Sequence, residues 1–135
     1  RTAIAEGLVR MSEEAFALVR ENAIAKGDVL RTAEVAGTMG AKRTAELIPL
    51  CHLLPLDLVR VECAAEAALP GVRVTATAVA IGRTGVEMEA LTAVSIACLT
   101  VYDMVKAADR GMVVEGIRLL EKTGGTRGNW RQETK

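Results

Sequence analysis

Asp103 and Lys106 stand three residues apart in "LTVYDMVKAADRG", Leu99–Gly111, at the end of a run that is otherwise largely apolar. An acid and an amine at that spacing share one face of a helix. They either decorate the solvent side as an ion pair worth about 0.2 to 0.5 kcal/mol or line a reaction site. Two features favour a site. Leu99, Val101, Met104, Val105 and Ala107 leave little of the helix for solvent, and an acid toward a helix C-terminus gains nothing from the macrodipole. Partial burial would raise the pKa of Asp103 and Lys106 would lower it, so a proton donor or acceptor is expected whose state the sequence does not fix.

The sole histidine, His52, lies in "LIPLCHLLPLD" directly after Pro49, in a segment of Leu, Ile and Pro. It reads either as a satisfied structural ring or as a hydrogen-bonding contact to a substrate. Cys51 beside it reads as a small buried hydrophobe. Glu87 has the spacing of a capping-box acid to Thr84, and Glu89 suits the positive end of the same helix. Glu89 also shares a side with Asp103, fourteen residues on. Within one helix they are about 21 Å apart, too far to share a small site. Two copies of the helix antiparallel across a two-fold axis would bring the start of one to the end of the other.

Lys26, Lys42 and Lys122 are scattered basic residues of the kind that ordinarily sits in solvent. Lys122 differs in opening "KTGGTRG", where two glycines would let backbone N–H groups approach an anion without obstruction. The Walker pattern GxxxxGK[ST] is absent, so a P-loop NTPase fits poorly.

The elements that must position these groups follow from periodicity. Residues 2–11 alternate as a first strand. A helix starts at the N-cap Ser12 and stops at Gly27, with Lys26 at its end. A second runs from Asp28 to Pro49 with a small-residue face of Ala33, Ala36, Gly37, Gly40 and Ala41. "LDLVRVECAAEA" and "VRVTATAVAI" form an antiparallel pair around Pro70-Gly71. A long helix runs from near Gly85 to about Arg110 with Gly111 as its stop, then "MVVEGIRLLEK" is a last strand and "TGGTRGNW" a glycine-rich tail. This order predicts an α+β fold, a ferredoxin-like antiparallel sheet with helices packed on one face, as a single domain over 1–135.

Composition narrows the function. Seventeen basic residues balance seventeen acidic ones, so no overall field gathers nucleic acid, and three aromatics (Phe16, Tyr102, Trp130) make a poor stacking platform. A mean hydropathy of +0.25 suggests apolar surface left for an oligomer. Three widely spaced cysteines and one histidine argue against a zinc site or a disulfide framework, and neither metal nor cofactor is expected. Glu89, Ser95 and Asp103 interrupt the longest apolar run, which argues against a membrane span. The chain opens on Arg1 without a charged-then-apolar leader, so a cytoplasmic location is expected, with residues ahead of Arg1 missing from this sequence.

Taken together, "KGDVL", "AKRTAELIPLCH", "TGVEMEALTAVSIACLTVYDMVKA" and "RLLEKTGGTRG" closely resemble the cyclic pyranopterin monophosphate synthase family, molybdenum cofactor biosynthesis protein C, from about Arg1 to Gly128. The resemblance implies a ferredoxin-like subunit, a hexamer built as a trimer of dimers, and active sites at the dimer interface. It implies a lyase that converts cyclised dihydro-GTP, (8S)-3',8-cyclo-7,8-dihydroguanosine 5'-triphosphate, into cyclic pyranopterin monophosphate with release of pyrophosphate. By resemblance, Asp103 and Lys106 are catalytic, and Leu50, Cys51, His52, Met88 and Glu89 contact the substrate. Lys26, Lys42 and Lys122 match family lysines suited to the triphosphate. The family usually has Pro after that His, whereas Leu53 stands here, which changes the backbone constraint beside His52 but not its ring chemistry. Two other classes compete with a lyase: a non-catalytic module that binds a purine or pterin nucleotide, and a plain structural oligomer.

Overall fold

A computed structural model describes residues 1–133. In chain order the elements are β1 (Thr2–Arg10), α1 (Glu13–Arg20), α2 (Val29–Lys42), α3 (Thr44–Leu47), β2 (Leu58–Glu66), β3 (Gly71–Val79), α4 (Glu87–Val105), β4 (Val113–Thr123) and β5 (Trp130–Arg131). The sheet order is β2-β3-β1-β4-β5 with every pairing antiparallel. This βαββαβ plan, with β4 and β3 flanking β1, is the expected ferredoxin-like α+β arrangement, and α2 and α4 cover one face.

Strand alternation decides which face is covered. Ala3, Ala5 and Val9 of β1 and Val72, Val74, Ala76 and Ala78 of β3 are buried. A side chain at Gly7, which shares their side of β1, would collide with Val94 and Cys98 of α4. The small-residue face of α2 meets α4: a Cβ at Gly37 would lie 2.8 Å from the Ala93 carbonyl, and one at Gly40 would lie 2.8 Å from Ile96 Cγ1. With so few aromatic residues the helices approach through Ala and Gly, and the close backbone approach replaces large side chains as the source of contact area.

Several expected boundaries move. The first helix ends at Arg20, not Gly27, because Asn22 takes a left-handed φ of 55°. The Asn22 N–H donates to the Val19 carbonyl at 3.1 Å and the Ala23 N–H to Leu18 at 2.8 Å, a Schellman closure that an Asn can provide. Lys26 therefore belongs to the connecting loop, just before the N-cap Asp28, which accepts from the Arg31 N–H at 3.1 Å. The second helical stretch breaks at Arg43 into α2 and the single turn α3.

The long helix is shorter at both ends. It begins at Glu87 behind Val86, with no side-chain cap, so the Thr84–Glu87 capping box does not form. The Glu87 carboxylate instead folds over Gly85, into the space a Cβ there would need. At the other end α4 stops at Val105 rather than Arg110. Asp109 holds the Ser12 N–H at 2.8 Å and the Gly111 N–H at 2.9 Å, which draws the chain off the helical path. By length and composition α4 could cross a membrane, but ten of its residues, Glu89 through Val105, are buried in this fold.

β4 pairs with β1 through two register shifts, one beside Gly116, whose φ of 64° permits the bulge. The glycine-rich tail turns back through Gly124 and Gly125 and adds the short strand β5, which the sequence pattern does not announce.

Candidate functional site

The predicted residues other than Lys42 lie toward one or the other end of α4. At its start, the loop after α3 and the turn into α4 enclose a depression of about 220 Å³ lined by Leu50, Cys51, His52, Met88 and Glu89, with Glu87 on the same wall. More than thirty residues of sequence separate these two walls, and the antiparallel β2–β3 pair returns the chain so that they meet. His52 is exposed and makes no side-chain hydrogen bond among the described residues, so it is not a satisfied structural ring. Cys51 is half-buried rather than wholly buried.

Glu89 is 5% exposed, and burial pushes its carboxyl above the ordinary range. Its own backbone N–H opposes that shift, while the neighbouring Glu87 carboxylate adds to it. Glu89 therefore holds a proton to higher pH than a solvated glutamate. Glu87 is the residue that sequence reasoning assigned wrongly: its capping-box spacing offered a sufficient structural role, and only the failure of that cap reveals it as a pocket wall.

At the far end of α4, Asp103 sits between two amines. Lys106 Nζ is 3.0 Å from Oδ1, and Lys26 Nζ is 3.6 Å from Oδ2 while donating to the Asp103 carbonyl at 3.1 Å. The expected partial burial is absent from the single chain: the Asp103 side chain is 60% exposed. Its apolar neighbours Val101, Met104 and Val105 turn inward, leaving Asp103 and Lys106 on the outer side. The Lys106 hydrogen bond and charge, helped by Lys26, hold the carboxyl below its ordinary range, so Asp103 is ionised at neutral pH. Lys26 is brought here from 77 residues away, a contact that no local pattern announces.

Lys122 pairs with Ala3 across β1–β4, on the helix side of the sheet at the end where α4 begins. Here the Arg1 guanidinium joins it. A Cβ at Gly125 would lie 2.9 Å from Arg1 Nη1 and 3.5 Å from Lys122 Nζ, so two cations converge over bare glycine backbone. Gly124 and Gly125 both have positive φ, which keeps that approach open. Among the described residues no carboxylate forms an ion pair with either cation, an arrangement suited to a polyanion. Arg1 carries no motif signal; only its hydrogen bonds to Ala80 and Arg83 place it. Lys42 is not gathered in: it ends α2 exposed, beside Val35, Thr38 and Met39. Among the described residues no three His, Cys, Asp or Glu side chains form a metal-binding group.

A ferredoxin-like subunit that holds an acid whose pKa burial raises, an ionised acid and an open cationic cradle in separate places has the parts for proton transfer on an anionic substrate. The comparisons with known proteins narrow that class. The sequence model of the MoaC family matches residues 1–125. The cyclic pyranopterin monophosphate synthase of Methylobacterium sp. (strain 4-46) is 66% identical over 130 residues, covering 96% of this chain and 81% of that protein. Those of Methylobacterium nodulans and Cereibacter sphaeroides are 64% and 62% identical, over 98% and 96% of this chain and 83% and 82% of theirs. The chain belongs to the MoaC family.

Proposed function

We propose that the chain acts as a cyclic pyranopterin monophosphate synthase, a lyase of molybdenum cofactor biosynthesis. Its substrate in this reading is the cyclised dihydro-GTP, and its products are cyclic pyranopterin monophosphate and pyrophosphate. The observation that carries the reading is the division of the predicted residues between the two ends of α4. Glu89 and Asp103 are about 21 Å apart along that helix, so one subunit alone cannot bring them to one substrate. Their midpoint is Ile96, and a two-fold axis there would lay the Glu89 pocket of one copy against the Asp103 pair of the next. Exposed Met39, Leu47 and Leu99 around that midpoint support such a contact.

In the completed site two carboxyl groups with pKa values pushed apart divide the work. Ionised Asp103 accepts a proton while Lys106 fixes it and supplies an N–H donor. Glu89, protonated to higher pH, is suited to return a proton as the ring system opens and rebuilds. The sugar hydroxyl oxygen attacks the α-phosphorus; the bond to the bridging oxygen breaks and pyrophosphate leaves with that electron pair. Lys122 and Arg1 neutralise the charge that develops on it, and Lys26 is placed to add to this at the interface. Closure by the second copy would exclude water and strengthen each of these interactions.

The same reading makes the protein a homo-oligomer, a hexamer of three dimers, formed from single-domain subunits in the cytoplasm. Incubating the purified chain alone with the cyclised GTP derivative tests the function. Formation of cyclic pyranopterin monophosphate with one pyrophosphate is expected; binding without turnover would make it a non-catalytic nucleotide module.

A further inference from the structure

We infer that Tyr102 and Asp109 are positioning residues: together they pin the turn that follows α4, and through it they hold Lys106 and Lys26 against Asp103. The inference rests on the reading of Asp103 as the reacting carboxylate and names what keeps its two amines in place.

Neither amine is fixed by a helix of its own. Lys106 is the residue just past α4, and Lys26 lies in the connection between α1 and α2. Their side chains are 47% and 50% exposed, so packing leaves both free to turn. An amine on a flexible four-carbon stem keeps one geometry only as well as its backbone is held.

Tyr102 grips the turn at both ends. Its carbonyl accepts the Lys106 N–H at 2.9 Å, and its hydroxyl donates to the Arg110 carbonyl at 2.8 Å. Asp109 holds the same turn from inside, where its Oδ1 accepts the Gly111 N–H at 2.9 Å. The other carboxylate oxygen reaches a second element: Oδ2 accepts the Ser12 N–H at 2.8 Å. Ser12 is the N-cap of α1, and its hydroxyl accepts the Ala15 N–H at 3.1 Å. Asp109 thus does from a distance what the acid of a capping box does locally, and it sets a negative charge at the positive end of the helix that leads to Lys26.

Little else joins these two parts. Between the connection after α1 and the last turn of α4 lies an apolar groove of about 410 Å³, lined by Leu18, Ile24, Met104, Val105 and Ala108. Across an open groove, close packing does not set the spacing of the walls. On the α4 side the wall runs from Met104 to Ala108. The residue before it, Asp103, meets Lys26, and the residue after it, Asp109, meets Ser12. Among the described residues no other hydrogen bond or ion pair joins residues 12–28 to residues 103–111. Without Asp109 the one polar tie left is the exposed Lys26–Asp103 pair, which is weak alone. Tyr102 and Asp109 therefore act through the two lysines and need touch no reacting atom.

The test follows the Asp103 carboxyl by ¹³C NMR in the full chain without substrate, its signal assigned from the spectrum of Asp103→Asn. Tyr102→Phe removes one hydroxyl and no charge; Asp109→Ala removes both acceptors. In each, loosened amines should let the Asp103 titration rise toward the ordinary carboxylate range, since Lys106 and Lys26 hold it down. The sign separates positioning from a plain field effect. Loss of the Asp109 negative charge alone would ease ionisation of Asp103 and move its titration down. A merely structural role would lower the melting temperature and leave the titration of the folded protein where it was. A titration that stays or falls in either variant would overturn the inference. Asp109→Asn, which keeps one acceptor oxygen, should give a smaller rise and replaces the Ala variant if that one fails to fold. With the cyclised GTP derivative, turnover should fall about ten- to a hundredfold, the scale of a small misplacement of a reacting group. Unchanged turnover in both variants would also overturn the inference. If the unsubstituted chain forms no product, the assigned reaction fails while the titrations still decide the positioning.

Discussion

The two ends of α4 carry acids of one chemical class in opposite electrostatic conditions. Glu89 is enclosed by its own subunit and its carboxyl is pushed up by burial; Asp103 is open to solvent and is held down by Lys106 and Lys26. The cause is the local covering. The helix start lies under the loop after α3, whereas the helix end is left by a chain that Asp109 pulls away toward Ser12. The depression at the helix start is lined by no amine, and the Asp103 pair at the helix end lies open to solvent. Each supplies what the other lacks, which is why the proposed site needs two copies.

The comparison can be broken most severely at Asp103. Asp103→Asn should lower the rate of product formation by about 10² to 10⁴, the usual contribution of a positioned acid–base group, while circular dichroism and oligomer size stay unchanged. An active Asn variant would remove the charged pair from the chemistry. Next in size is the spacing of α4 itself. Gly37→Val would drive its side chain into the Ala93 carbonyl, 2.8 Å from the first added carbon, and should cost about 1 to 3 kcal/mol in equilibrium denaturation.

Smaller effects sharpen the electrostatic contrast. Lys106→Met removes the main support of the Asp103 charge, so the proton is held to higher pH and the Asp103 titration, followed by ¹³C NMR, should move up toward the ordinary carboxylate range. Glu87→Gln acts in the other direction and more weakly. Taking away a neighbouring negative charge eases ionisation of Glu89, so its titration should move down while burial keeps it above that of a solvated glutamate. No movement of either titration would mean that the named neighbours do not set these states.

Much of this fold is legible in the residues because the strands alternate cleanly. Val72, Val74, Ala76 and Ala78 define the buried side of β3, and Gly37 and Gly40 mark where α2 and α4 touch. What escapes is decided by contacts between distant residues. Thr84 and Glu87 have capping-box spacing, yet Glu87 folds over Gly85 and faces a pocket whose other wall comes from residues 50–54. Asn22 rather than Gly27 closes α1, because a left-handed residue need not be glycine. The apolar neighbours of Asp103 suggested burial, but they turn inward on a helix whose last turn leaves the acid outside. The cationic cradle depends on a sheet register that includes two shifts, so Arg1 and Lys122 cannot be paired from spacing alone.

The shared site is tested most directly by complementation between two inactive variants, Asp103→Asn and Glu89→Gln, unfolded together and refolded as a mixture. Half the dimers formed at random pair unlike subunits, and each such dimer contains one site with both native acids. Activity should therefore return to about a quarter of that of the unsubstituted protein. A mixture as inactive as its components, with mixed dimers demonstrated by mass spectrometry, would place both acids in the service of one subunit and contradict the account.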